Sequence, residues 1–223
     1  MHKSQMIGSM DQVYSKAFLT IVAAAGHDAY HGLPGVGKTC RKRQAALIIG
    51  KVNLLEHLSP HPGTLLKTSA WGTRGWTCQE GLLSRRRLVF TDQQTSFVCR
   101  EMFIMESVKR PKQYIWSLDH EPFEIVETLV PSYRQRLNNQ TKETIMYLKS
   151  HIEAYTGRRL RFEEDSLKAF MGVLAFYAKK GVYHSWGLPI CHWGYLGARI
   201  SIQVDWYHIK LATRRPHCPS WLW

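Results

Sequence analysis

Glu80 is the side chain best placed to do chemistry in this sequence. It closes the run Arg74-Gly-Trp-Thr-Cys-Gln-Glu80, and a carboxylate held at a helix start beside an arginine is polarised for acid, base or ribose-binding work. Arg74 can grip an anionic group bidentately or pair with Glu80 itself. Gln79 can orient a ligand or satisfy a buried backbone group. Trp71 and Trp76 flank the turns at Gly72 and Gly75 and offer rings for stacking, although core packing is the commoner use of such rings. Thr77 and Glu80 also stand at capping-box spacing, where each side chain satisfies an orphan N–H of the first helical turn. That role is sufficient by itself, so catalyst and cap both stay open for Glu80.

Other reactive types lack the context their chemistry needs. Gly32-Leu-Pro-Gly-Val-Gly37-Lys38-Thr39 satisfies the phosphate-cradling P-loop pattern. A P-loop leaves its strand directly and opens a helix, whereas Gly26 to His31 intervene here and Cys40 to Gln44 carry no apolar stripe. Gly32, Gly37, Lys38 and Thr39 therefore read as a decoy, and no nucleotide site is assigned to them. Cys78 at a helix N-terminus would have a lowered pKa, a weak signal for reactivity. Cys191-His192 and His217-Cys218 contain zinc-ligand types, but no C-x-x-C accompanies them and no metal is expected.

The elements that must position Glu80 follow from pattern. A short helix should begin near Cys78 and close at Ser84 and Arg85 to Arg87, with cations at the negative end of its dipole. Leu88 to Thr91 and Thr95 to Cys99 predict a hairpin. Upstream, Met6, Met10, Val13, Tyr14 and Ala17 mark a helix over Gln5 to Ala17. Phe18 to Ala24 is nearly all apolar and predicts a central strand covered on both faces. Ala45 to Ile49 and Lys51 to Leu55 predict a strand pair around Gly50. Beyond Cys99 a short helix is expected over Glu101 to Val108, then an irregular connection to Pro131. Ile145, Leu148, Ile152 and Tyr155 predict a helix ending at Gly157. Leu167 to Ala178 predicts another, opened by Glu163 to Asp165 and closed by Lys179 to Gly181, the pair forming a helical lobe packed on the sheet.

Composition narrows the class. The 223 residues suffice for one large domain or two small ones, and the five irregularly spaced cysteines suggest no disulfide framework. No apolar run is long enough to cross a bilayer and no signal peptide follows Met1, so a cytoplasmic location is the default. Thirty Lys and Arg against 17 Asp and Glu give a net charge of +13, enough to attract nucleic acid or an anionic membrane non-specifically. The cations lie in short clusters without a nucleic-acid-binding pattern, so no specific nucleic acid is expected.

The run from Arg74 to Phe90, RGWTCQEGLLSRRRLVF, resembles the last signature block of the fungal heterokaryon incompatibility (HET) domain. Met10 to Gly26 leading to Gly32-Leu-Pro-Gly35, and Arg214 to Trp223, are similar to segments that flank that block. The resemblance implies an α/β fold: a partial HET-like sheet with flanking helices, distantly similar to the Toll/interleukin-receptor (TIR) fold, over residues 1–109, with the block at 69–99. Residues 110–223 would then be a connection and a mainly helical carboxy-terminal extension. Two earlier family blocks have no counterpart before the first helix, so an amino-terminally incomplete domain is expected, with Phe18 to Ala24 an apolar edge prone to assembly. The implied role is nonself recognition and programmed cell death, exercised as an interaction and signalling module through protein partners or self-association. The TIR-like alternative is an NAD-cleaving enzyme with NAD as substrate, no cofactor, and Glu80 as its carboxylate. Arg74, Gly75, Trp76, Gln79 and Glu80 are the motif residues placed at either site.

Overall fold

The computed structural model describes residues 7, 9–56, 62–99, 102–107, 141–192, 200–202 and 219. Helix α1 (Met10–Lys16) leads into strand β1 (Thr20–Ala23). A long crossover follows, holding the hairpin β2 (Ala46–Ile49) and β3 (Val52–Leu55), then helices α2 (Pro62–Thr68), α3 (Ala70–Thr73) and α4 (Thr77–Leu83). Strand β4 (Arg86–Phe90) returns beside β1 in parallel, as such a connection allows. The chain then turns at Thr91 to Gln94 into β5 (Thr95–Cys99) and again into β6 (Phe103–Met105), both antiparallel. The sheet order is β1-β4-β5-β6.

Side chains alternate across this sheet, and among the described residues one face packs against helices. Val22, Ala24, Val89, Val98 and Phe103 pack against Leu66 of α2 and Trp71 of α3. Ile21, Leu88, Phe97 and Ile104 form an in-register row on the opposite face, with Ile21 and Ile104 exposed. The expectation of a central strand buried on both faces is thus corrected. Among the described residues β1 is an edge strand paired only with β4, and Phe18 just before it is 81% exposed. A continuous apolar run signals double-sided burial only if something covers both faces.

A second core forms around α4. Helix α5 (Thr141–Thr156) contributes Ile145, Leu148, Ile152 and Tyr155, and ends before Gly157 as its pattern predicts. Two 3-10 turns, Glu163–Asp165 and Lys168–Phe170, precede helix α6 (Met171–Ala178), so the single helix expected from Leu167 is broken. Phe170, Val173, Leu174 and Tyr177 complete this core together with Cys78 of α4. Helix α6 packs on α1 and α4, and Lys179 Nζ meets the buried Asp11 carboxylate at 2.7 Å.

Two further elements differ from the sequence reading. Where a helix is expected over Glu101 to Val108, the described residues include strand β6: Cys99 N–H bonds Met102 O at 3.0 Å, and Phe103 pairs with Val98 of β5. The mainly helical extension also carries an antiparallel sheet, β7 (Val182–Ser185), β8 (Leu188–His192) and β9 (Ile200–Ile202). Its first turn is Trp186-Gly187 with both φ positive, at 48° and 83°, the form that matches hairpin twist. Tryptophan is an unusual occupant of that position and Pro189 within β8 argues against a strand, so the pattern is hard to read. The expected connection from Arg110 to Pro131 and nearly all of Arg214 to Trp223 lie outside the described residues.

Candidate functional site

Helix α3 is capped by Ser69, whose Oγ accepts the Gly72 N–H at 2.9 Å. The chain then bends at Arg74 and Gly75 and starts α4 at Thr77. A strap from the carboxy-terminal half fixes this bend: Gly75 N–H donates to Arg159 O at 2.8 Å, and Arg159 N–H to Thr73 O at 2.6 Å. A Cβ on Gly75 would lie 2.5 Å from the Leu160 Cδ2 methyl, so the Leu160 side chain would have to shift to admit one. Arg158 adds bonds to Arg74 O at 3.3 Å and to Thr77 Oγ1 at 3.4 Å. The basic cluster at Arg158 to Arg161 is thus partly a structural clamp.

The capping box does not form. Trp76 is the N-cap residue and no side chain caps α4, while the Thr77 hydroxyl is turned back onto Trp71 O and Arg74 O. The Thr77 hydroxyl is occupied by the preceding bend, and Glu80 is left without its reciprocal partner.

Released from capping, the Glu80 carboxyl sits half-buried between α1 and α3. Burial raises its pKa above the usual carboxylate range. The Trp71 indole N–H, buried without an acceptor in hydrogen-bond geometry, and the Arg74 guanidinium both pull the other way. Tyr14 of α1 shares the locus: its hydroxyl pKa is raised by burial and then by the Glu80 charge. The resulting arrangement is a carboxyl with an elevated pKa, a phenol, an indole N–H donor and an exposed guanidinium. Such a set can bind hydroxyl groups and stabilise developing positive charge.

The remaining sequence-nominated residues divide clearly. Gln79 is fully buried, and its Oε1 accepts the Gly172 N–H at 3.2 Å, joining α4 to α6. Trp76 packs half-buried against the second core and Trp71 is buried in the first. The lowered pKa expected for Cys78 is corrected, since burial pushes the thiol up to about 11 despite Arg158. Residues 32–39 form a loop in which Gly35 N–H bonds Thr39 O at 2.8 Å, and residues 40–45 run without helix into β2. Lys38 is exposed there, with no helix N-terminus beside it. No cluster of three or more metal-ligating side chains occurs among the described residues. Sequence reasoning missed Tyr14 and Arg158 at the site; Tyr14 was legible only as part of an apolar stripe, and Arg158 only as a charge run.

Fold and site together define an α/β protein with a four-stranded sheet and a half-buried acidic locus at its crossover helices. Residues 1–80 match the family model described as Heterokaryon incompatibility protein (HET), from the amino terminus through α1, β1 and the bend to Glu80. That stretch of the chain is similar to the heterokaryon incompatibility family. No curated protein and no solved structure matches the chain.

Proposed function

We propose that this chain serves in heterokaryon incompatibility as an interaction module that signals by bringing copies of itself together. The observation that carries this reading is the edge of β1. Its outer N–H and C=O groups pair with no strand among the described residues, and Phe18, Leu19 and Ile21 stand exposed along it. An apolar edge of this kind is a template for a second chain. The cytoplasm is the compartment this reading requires, and among the described residues no helix is long and apolar enough to cross a membrane. Expression in fungal cells tests it: the wild-type chain should cause cell death, Ile21→Lys should abolish it, and Glu80→Gln should retain it. Death lost with Glu80→Gln but kept with Ile21→Lys would overturn the module reading.

A second reading, a TIR-like enzyme that cleaves NAD, draws on the Glu80 locus. The carboxyl is free of capping, has a raised pKa and lies beside a phenol and an indole donor. In this reading Glu80 binds the nicotinamide ribose and assists departure of nicotinamide. Purified chain incubated with NAD should then release nicotinamide, with at least about a hundredfold loss in Glu80→Gln and little change in Lys38→Ala. Folded protein without turnover would remove the enzymatic reading.

A further inference from the structure

The β2–β3 hairpin projects from the crossover outside both cores. Its pairs Leu47↔Leu54 and Ile49↔Val52 place four aliphatic side chains on one face, and with Ile48 on the other they are 48–71% exposed. An isolated two-stranded hairpin is marginal in water, and leaving this much aliphatic surface wet calls for an occupant. Gly50, with φ 61°, sits where a type II′ turn needs a glycine and holds the strands in tight register.

The flanks say what that occupant is. From Lys38 to Glu56 the chain carries Lys38, Arg41, Lys42, Arg43 and Lys51 against the single carboxylate of Glu56. Arg41 is engaged by Glu106 at 2.5 Å and Thr95 at 2.9 Å, and Glu56 closes the base of the hairpin by accepting the Ala45 N–H at 3.3 Å. Lys38, Lys42, Arg43 and Lys51 remain exposed at the base and tip. We propose that the β2–β3 hairpin lies flat on an anionic lipid surface, with Leu47, Ile49, Val52 and Leu54 sunk among the acyl chains and these cations on the phosphates. Each strand of four residues is about 13 Å long, and the face of Leu47, Ile49, Val52 and Leu54 matches the ~5–10 Å depth that interfacial elements occupy. A protein or nucleic-acid partner explains half of this pattern. Nucleic acid would use the cations without the aliphatic face, and a second copy would bring its own cations against them.

The test is flotation of the full chain with vesicles of phosphatidylcholine alone and of phosphatidylcholine mixed with phosphatidylserine. The wild type should float with the anionic vesicles, weakly with the neutral ones, and be released by salt. Ile49→Asp and Lys42→Glu should each weaken binding at least about tenfold, with circular dichroism unchanged because neither residue belongs to a core. Val52→Asp, across the hairpin from Ile49, should reproduce the first effect. Absence of flotation on anionic vesicles, equal flotation on both lipids, or Ile49→Asp and Val52→Asp variants that float like the wild type would overturn the proposal. Lipid-independent self-assembly that Ile49→Asp removes, without vesicle binding, would assign the hairpin to a second copy instead.

Discussion

Gly72→Ala is expected to cost about 3 kcal/mol or more of stability, at the upper end of overpacking effects. A Cβ on Gly72 would lie 1.9 Å from the backbone oxygen of Leu66 and 3.0 Å from that of Lys67. Backbone atoms in a helix cannot swing aside as a long side chain does, so the corner between α2 and α3 must open. Opening it pulls Leu66 and Trp71 from the covered sheet face and displaces Arg74 from its strap. Gly157→Ala is the matching control: no atom lies within 4 Å of its added carbon and its backbone is not left-handed. Thermal melting should separate the two, with a fall of roughly 6–12 °C for Gly72→Ala and little change for Gly157→Ala. Equal melting points would show that the corner is not tightly packed.

Acid should destabilise the second core through His151. This side chain is buried, hydrogen-bonded to the Tyr177 hydroxyl at 2.9 Å, and burial lowers its pKa from 6.5 to about 3, with Lys180 adding to the effect. The unfolded chain takes up a proton near pH 6.5 and the folded chain does not, so the stabilising effect is complete above that pH. It is lost progressively as pH falls from 6.5 toward 3, by roughly 1.4 kcal/mol per unit. Glu80 works in the opposite direction, because its raised carboxyl lets the folded chain bind a proton first. That carboxyl is only half-buried, so His151 dominates. Urea unfolding at several pH values should show the fall in the wild type and a flatter profile in His151→Gln, which keeps a hydrogen-bonding group for Tyr177. Identical profiles would rule His151 out as the source.

Local pattern carried much of this architecture, and failed where the deciding contacts are distant. The β4–β5 hairpin and α5 were legible because their apolar periods persist over enough residues to fix one element type. The β2–β3 pair was legible from Gly50. The capping box was misread because Thr77 has a more distant claim on it, the carbonyls of Trp71 and Arg74, which only the bend brings within reach. The same bend leaves Glu80 outside a capping role and opposite Tyr14, a residue 66 positions away that no spacing argument connects to it. Strand β6 and the β7–β9 sheet were missed because strands of three to five residues and a Trp-Gly turn carry too few residues to show a period.

Sedimentation velocity of the purified chain over a range of concentrations, beside Ile21→Lys, tests the central claim most directly. The wild type should shift to larger species as concentration rises, because the apolar β1 edge finds a second copy. The variant, with a charge placed on an already exposed position of that edge, should remain a monomer. A wild-type chain that stays monodisperse and monomeric at every concentration, and melts cooperatively, would contradict an interaction module built on this edge.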